Sequence, residues 1–325
     1  MIDTPAFLDR GRPDVPDMVV PRGVTPFHLE GRPVRGRLVR LGALADALLS
    51  RHDNTPEVNA LAGKALALVA GLSSALKFQG SFSLQVKGDG PLSLLAADCT
   101  DAGSLRFYAR SDEEALPALL GEVATPSDRE LFGNGYLALT VDQGADMDRH
   151  QGIVEIVGDD LAAMATHYFE TSEQHACWLM LACERTSEGW RSGGLILERI
   201  ASEGGVVTDD FGDGASRVSA PEDEDAWETA TILARTLTAA ELLDDGLPPE
   251  KLLNRLFHEE SLRVGQPRAL AYGCRCSRAK LVDILGRFSE DELDHMVVED
   301  RIVMTCEFCN VDFRFSREEV GPRSA

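Results

Sequence analysis

This chain is short of positive charge. Its 325 residues carry 32 Lys and Arg against 54 Asp and Glu, a formal net charge of −22. Nucleic acid is held by clustered cations against phosphate, so no nucleic-acid partner is expected. The same deficit argues against a membrane partner, because anionic surfaces attract basic segments. Long apolar runs are missing as well: no stretch reaches the roughly 18 residues that suggest a transmembrane helix. Met1-Ile2-Asp3-Thr4-Pro5 shows no basic segment followed by an apolar one, so no secretory signal is expected. Catalytic signatures are equally scarce. His258-Glu259-Glu260 starts like a zinc-protease helix, but position 262 is Leu and the second His is missing. Gly88-Asp89-Gly90 and Gly133-Asn134-Gly135 lack the Lys-Ser/Thr of a phosphate loop and read as hairpin turns. No Ser-His-Asp or paired-carboxylate arrangement stands out, and the chain is not expected to be an enzyme. Internal repeats and long low-complexity tracts are absent.

Cysteine is not scarce. There are seven, an odd number, and without an export signal they point to a reducing, cytoplasmic compartment. Four of them form Cys274-Arg275-Cys276 and Cys306-Glu307-Phe308-Cys309, with 29 residues between Cys276 and Cys306. A tetrahedral zinc ion takes four thiolates at about 2.3 Å, so Cys274, Cys276, Cys306 and Cys309 are expected to hold one Zn2+. An iron–sulfur cluster is the alternative for the same four thiolates. A thioredoxin-like Cys306/Cys309 pair should open a helix after a strand, whereas here a strand follows. So short a module needs metal to supplement its core, and spacing alone leaves structural and switching roles open. Cys99, Cys177 and Cys183 lie in or beside apolar strands and are expected to be small buried hydrophobes. No further cofactor-binding residue is indicated.

Taken in order, residues 1–30 are rich in Pro, Asp and Arg, and Pro13, Pro16, Pro21 and Pro26 argue for a flexible tail. Leu38, Leu41, Leu44, Ala45, Leu48 and Leu49 recur at helical spacing. Thr55-Pro56-Glu57 opens a second helix running toward Phe78, apolar on much of its circumference. Strands are expected at 81–87, 92–97, 105–110, 136–141, 152–157, 178–183 and 194–200, with a helix from Asp159-Asp160-Leu161 to Ser172. Strand runs mixed with a few helices imply an α+β core over residues 31–200. Residues 201–250 carry 13 acids and 2 bases, a net −11. This acidic linker, taken as 201–256, has helical periodicity from Trp227 to Leu243 and can be ordered only if something holds it. Residues 257–325 form a small α+β domain. Ser277 caps one helix there, and Ser289-Glu290-Asp291-Glu292 is a capping box that opens another, with Leu293, Met296 and Val297 inward. Ile302–Met304 and Val311–Phe315 make a hairpin around the second cysteine pair.

These residues carry a resemblance. The chain resembles the heat shock protein 33 family, redox-regulated holdase chaperones of bacteria and organelles. Cys274, Cys276, Cys306 and Cys309 match its cysteine pattern position by position. Leu252-Leu253-Asn254-Arg255-Leu256-Phe257-His258-Glu259-Glu260 precedes the first pair, and Cys276-Ser277-Arg278 closes it. Leu76-Lys77-Phe78, Gly88-Asp89-Gly90-Pro91, Gln151-Gly152-Ile153-Val154, Tyr168-Phe169 with Ser172-Glu173-Gln174, and Gly193-Gly194-Leu195 are further landmarks, spread over roughly residues 31–320. The chain departs from the pattern in its longer N-terminal tail and its three extra cysteines.

The resemblance implies a core chaperone domain, an acidic, mainly helical linker, and a C-terminal zinc-binding redox-switch domain. It implies that the zinc-bound, reduced protein is inactive. Oxidation would form Cys274–Cys276 and Cys306–Cys309 disulfides, release zinc and unfold the linker. The protein would then form homodimers and hold unfolding client proteins without ATP. Two rival readings remain from the residues alone: a cytoplasmic enzyme in residues 31–200 with a structural zinc module, and a zinc-ribbon adaptor, which the balanced charge of residues 251–325 disfavours.

Overall fold

The computed structural model describes residues 17–76, 79–143, 149–200 and 221–320. Contacts divide the chain into a large unit, Met18–Tyr272, and a small unit that takes in Gly273 onward. The large unit opens with β1 (Val19–Leu29), β2 (Val34–Arg40), α1 (Ala43–Leu49) and α2 (Pro56–Ser73). Three antiparallel strands follow, β3 (Ser81–Gly88), β4 (Leu92–Thr100) and β5 (Ser104–Ser111), then α3 (Ala115–Glu122) and α4 (Asp128–Phe132). Next come β6 (Gly135–Asp142), β7 (His150–Glu155), α5 (Leu161–Thr171), β8 (Cys177–Thr186) and β9 (Gly189–Arg199). The acidic segment folds as α6 (Pro221–Ala234), α7 (Ala239–Leu243) and α8 (Pro249–Phe257), and β10 (Leu262–Val264) and β11 (Arg268–Tyr272) complete the unit. The small unit holds α9 (Arg278–Leu285), α10 (Glu290–His295), β12 (Ile302–Cys306) and β13 (Val311–Phe315). The mixture is α+β, as expected. No helix among the described residues is long and apolar enough to cross a membrane.

α2 is the centre of the core. Thr55 caps it, Pro56 takes the first turn, and nearly every side chain along it is buried. It can approach the sheet closely because it carries glycine at the contact: a Cβ on Gly63 would lie 2.2 Å from the Cys183 sulfur. Cys99, Cys177 and Cys183 are buried, as their apolar strands suggested. Burial pushes the Cys177 and Cys183 thiols up to about 12, which keeps them protonated and unreactive.

The sheet of the large unit runs β7-β6-β3-β4-β5-β11-β1-β2-β9-β8, with β10 also on β1. Two sequence expectations change here. The flexible tail was drawn through residue 30, yet Val19–Leu29 is a strand. On the side facing β11 and β10 its prolines fall at breaks in pairing, while the ladder with β2 runs on through Pro26. Pro21 lies between Val20 and Val24, where the register with β11 shifts, and Pro26 lies between the β11 and β10 pairings. Proline is tolerated in a sheet where no ladder donor is needed. Residues 1–16 lie outside the described residues. The helical spacing read from Leu38 holds only from Ala43 on; Val34–Arg40 is a strand buried on both faces, and such a strand shows no alternation.

The end of the unit also shifts. α8, β10 and β11 belong to the large unit, and the compact small unit begins at Gly273 instead of residue 257. α8 runs Pro249–Phe257, with Pro at its first turn.

A buried charged cluster links the paired strands β2 and β9. Glu198 is 5 % exposed and pairs with Arg37 and, at 3.0 Å, with Arg35. His175 Nε2 lies 4.0 Å from the same carboxylate. Burial holds the His175 imidazole below its ordinary 6.5, more than Glu198 raises it. Burial also works against the Glu198 carboxylate, but Arg37 and Arg35 outweigh it and hold its pKa below 4.5. The unfolded chain therefore binds protons more readily at both groups. Stability is expected to decline first as pH falls through 6.5, where His175 of the unfolded chain charges, and again below 4.5, through Glu198. Melting temperature against pH checks this. A His175→Gln variant loses the upper part of the decline, and a curve parallel to wild type would contradict the assignment.

Candidate metal centre

The small unit has little apolar core. Leu285, Leu293, Ile302, Val311, Phe313, Phe315 and Val320 are its buried aliphatic and aromatic side chains among the described residues. Met296, expected to point inward, is 37 % exposed. The capping signals behave as read. Ser277 Oγ accepts from Lys280 N at 3.2 Å and starts α9, and Ser289 with Glu292 forms the reciprocal box at α10. The contacts of Arg278 leave no mark in the sequence pattern. Its guanidinium lies 4.3 Å from the Phe315 ring centroid and donates to Glu319 Oε1 and the Arg314 carbonyl, each at 2.9 Å, tying α9 to β13.

β12 and β13 pair in register from Ile302↔Phe315 to Cys306↔Val311. Between them Cys309 N and Asn310 N both donate to the Cys306 carbonyl, at 3.2 and 2.7 Å. Asn310 takes φ 50°, the left-handed conformation that Asn tolerates, and turns the chain back. That knuckle aims Cys306 and Cys309 at one point. Cys274 and Cys276 reach the same point from the loop before Ser277.

The four sulfurs all lie within 4.8 Å of one another. Cys274 Sγ is 3.3 Å from Cys276 Sγ and 3.5 Å from Cys306 Sγ, and Cys276 Sγ is 3.6 Å from Cys309 Sγ. A disulfide bond measures about 2.05 Å, so these are separate thiols. Bonds of about 2.3 Å to a tetrahedral ion put sulfurs about 3.8 Å apart, close to what is seen. Cys274 and Cys309 are buried and Cys276 and Cys306 partly so. Four sulfurs this close cannot all ionise without a cation between them. Hydrogen bonds from Cys274 and Cys276 hold the Cys306 thiol far below its ordinary range, and the bond with Cys276 lowers Cys274. The counterpart bonds with Cys274 push Cys276 and Cys309 up. A soft dication resolves this conflict by taking all four as thiolates. Donor type, number and spacing thus fit a tetrahedral thiolate metal site, and all four sequence-expected ligands are brought together. Among the described residues no other group of three or more His, Cys, Asp or Glu side chains converges in this way.

Comparison with known proteins follows the same line. The family model for Hsp33 protein matches residues 23–316. The 33 kDa chaperonin of Caulobacter vibrioides is 38% identical over 292 residues, covering 88% of this chain and 92% of that protein. The 33 kDa chaperonin of Nitrosococcus oceani is 35% identical over 295 residues, 90% of this chain and 91% of its own length. In fold, the chain is similar to the crystal structure of the 33 kDa chaperonin from Thermotoga maritima. The TM-score is 0.72 at 20% identity, over 92% of this chain and 96% of the other. A family match across nearly the whole chain, with relatives well above 30% identity, shows that this chain belongs to the Hsp33 family.

Proposed function

We propose that this protein is a cytoplasmic, ATP-independent holdase chaperone whose activity is switched by the redox state of Cys274, Cys276, Cys306 and Cys309. The convergence of those four thiols within 4.8 Å carries the reading. In the inactive form they hold one Zn2+, which when bound fixes the two knuckles and supplies folding energy to a unit with a small apolar core.

The switch is oxidation within each pair. Cys274 and Cys276 give two electrons to hydrogen peroxide and join by an S–S bond. The peroxide O–O bond breaks, and two protons complete two waters. Cys306 and Cys309 do the same with a second peroxide. Disulfide sulfurs are poor ligands, so the pairs lose their common centre and the small unit loses its main support. The acidic helices α6–α8 then leave the sheet. Leu237 and Leu242, buried in the closed form, become exposed for unfolding clients, and the high negative charge keeps the open form dispersed. The oxidised protein pairs as a homodimer. Nucleic acid and membranes are not partners, and no catalytic residue is assigned.

The test is light scattering from a thermally unfolding client. Reduced, zinc-loaded protein is expected to leave aggregation unchanged, and peroxide-treated protein to suppress it at near-equimolar ratio. Equal suppression by both forms would remove the redox switch.

A further inference from the structure

The face of β1, β2 and β9 that carries α6, α7 and α8 has a charge problem to solve. Residues 223–257 hold eight acids and three bases, Arg235, Lys251 and Arg255, and Arg255 pairs with Glu241 inside the segment at 2.7 Å. Their buried apolar residues, including Ala230, Leu237 and Leu242, pack against Phe27, Leu38 and Leu197 of the sheet. Apolar contact alone must work against the repulsion within this segment. Four arginines on the strands face it. Arg22 pairs with Glu250, and Arg199 with Glu224 at 2.7 Å. Arg191 pairs with Asp245 at 2.6 Å. Arg40 donates to the carbonyls of Glu241, at 2.6 Å, and Leu247.

These contacts are unequal. Arg22 and Glu250 are both more than 40% exposed at their side chains, and Glu224 is 63% exposed, so water screens these pairs. Arg40 and Arg191 are each 7% exposed. Arg40 also differs in kind. It takes no carboxylate but two main-chain carbonyls, one on the short α7 and one just before α8. The Glu241 carbonyl lies in the last turn of α7, where helix carbonyls have no internal partner, and the Leu247 carbonyl lies in the turn before the Pro248 N-cap of α8. A cation at the end of α7 is favourable by its dipole as well. Asp244 and Asp245, in the same turn, help keep the guanidinium charged against its burial.

We propose that Arg40, backed by Arg191, is the pin that fixes the α7–α8 turn to the sheet, so that withdrawing it frees the linker helices while the four cysteines stay reduced and metal-loaded. Arg40 is a positioning residue for the switch. The proposal rests on the reading that linker release activates the protein, but its first readout does not. Arg40→Met keeps the apolar stem and leaves the Glu241 and Leu247 carbonyls without a donor. In the reduced, zinc-loaded full chain, proteolysis within residues 223–257 is expected to quicken about tenfold or more, since cleavage follows the open population. Zinc content and the four reactive thiols stay as in wild type, and the variant suppresses client aggregation without oxidant. Arg191→Met shifts the same readouts in the same direction by less, because Asp245 is already 47% exposed and regains water. It carries the test alone if Arg40→Met fails to fold. Arg40→Lys restores part of the protection. Wild-type protection of the linker in both Met variants would overturn the pin. If the variants open but neither they nor oxidised wild type hold clients, the pin stands and the holdase reading falls. If oxidised wild type holds clients and the opened, reduced variants do not, opening is insufficient and the activating role of the pin is overturned.

Discussion

Replacing Cys306 by Ser is expected to cost the protein its tight metal site and, with it, the folded state of residues 273–320. The argument is one of magnitude. A structural zinc site contributes about 10–16 kcal/mol of apparent folding free energy in a small domain. The seven buried apolar side chains of this unit give far less room. A hydroxyl is a weak ligand for a soft cation, so Cys306→Ser leaves only three thiolates at the site while the main-chain turn of the knuckle is unchanged. The variant should bind zinc at well under one equivalent after dialysis, with residues 273–320 showing fast amide exchange. A Cys177→Ala control, which alters a thiol buried in the large unit, should keep one equivalent. Stoichiometric zinc and protected amides in Cys306→Ser would show that three thiolates suffice.

The second large effect is expected at Phe257. This side chain ends α8, is fully buried, and stacks on Phe27 of β1 with ring centroids 5.4 Å apart. Truncating a buried Phe costs about 3–5 kcal/mol, from lost apolar contact and the cavity left behind. If that loss falls on docking of α6–α8, the open population rises more than a hundredfold, at about 1.4 kcal/mol per tenfold. Phe257→Ala should therefore expose the linker in the reduced protein while the core strands β3–β6 keep their exchange protection. Uniform loss of protection across the large unit would show that α8 is an inseparable part of the core.

Much of this architecture was legible before the structure. The cysteine spacing named all four sulfurs of the cluster, since ligand geometry leaves a local mark. Thr55-Pro56 and the Ser289/Glu292 box placed helix starts, because caps are written in adjacent residues. What was hidden depends on partners far away. β11 is a five-residue strand lying between β5 and β1, and its parallel pairing with β5 reaches back more than 160 residues. No local pattern announces such a strand. β1 was concealed by prolines at its pairing breaks, and β2 by burial on both faces. The linker shows a subtler gap. Its charge said that it needed a support, and the structure supplies one as an apolar sheet face with arginines at hand. Of the apolar residues in the linker helices, Ile232 is 53% exposed while Leu237 and Leu242 are buried. Helical periodicity located the helix but not which face would be covered.

The central claim is that metal, thiols and linker form one switch. The most direct measurement follows all three in one peroxide time course at heat-shock temperature: zinc released per chain, free thiols remaining, and proteolysis within residues 223–257, with client protection sampled at each point. The account predicts that about one zinc ion leaves as four thiols disappear, and that linker cleavage and client protection rise with the same time constant. Client protection that develops while zinc is still bound, or zinc loss that leaves linker and client protection unchanged, would contradict it.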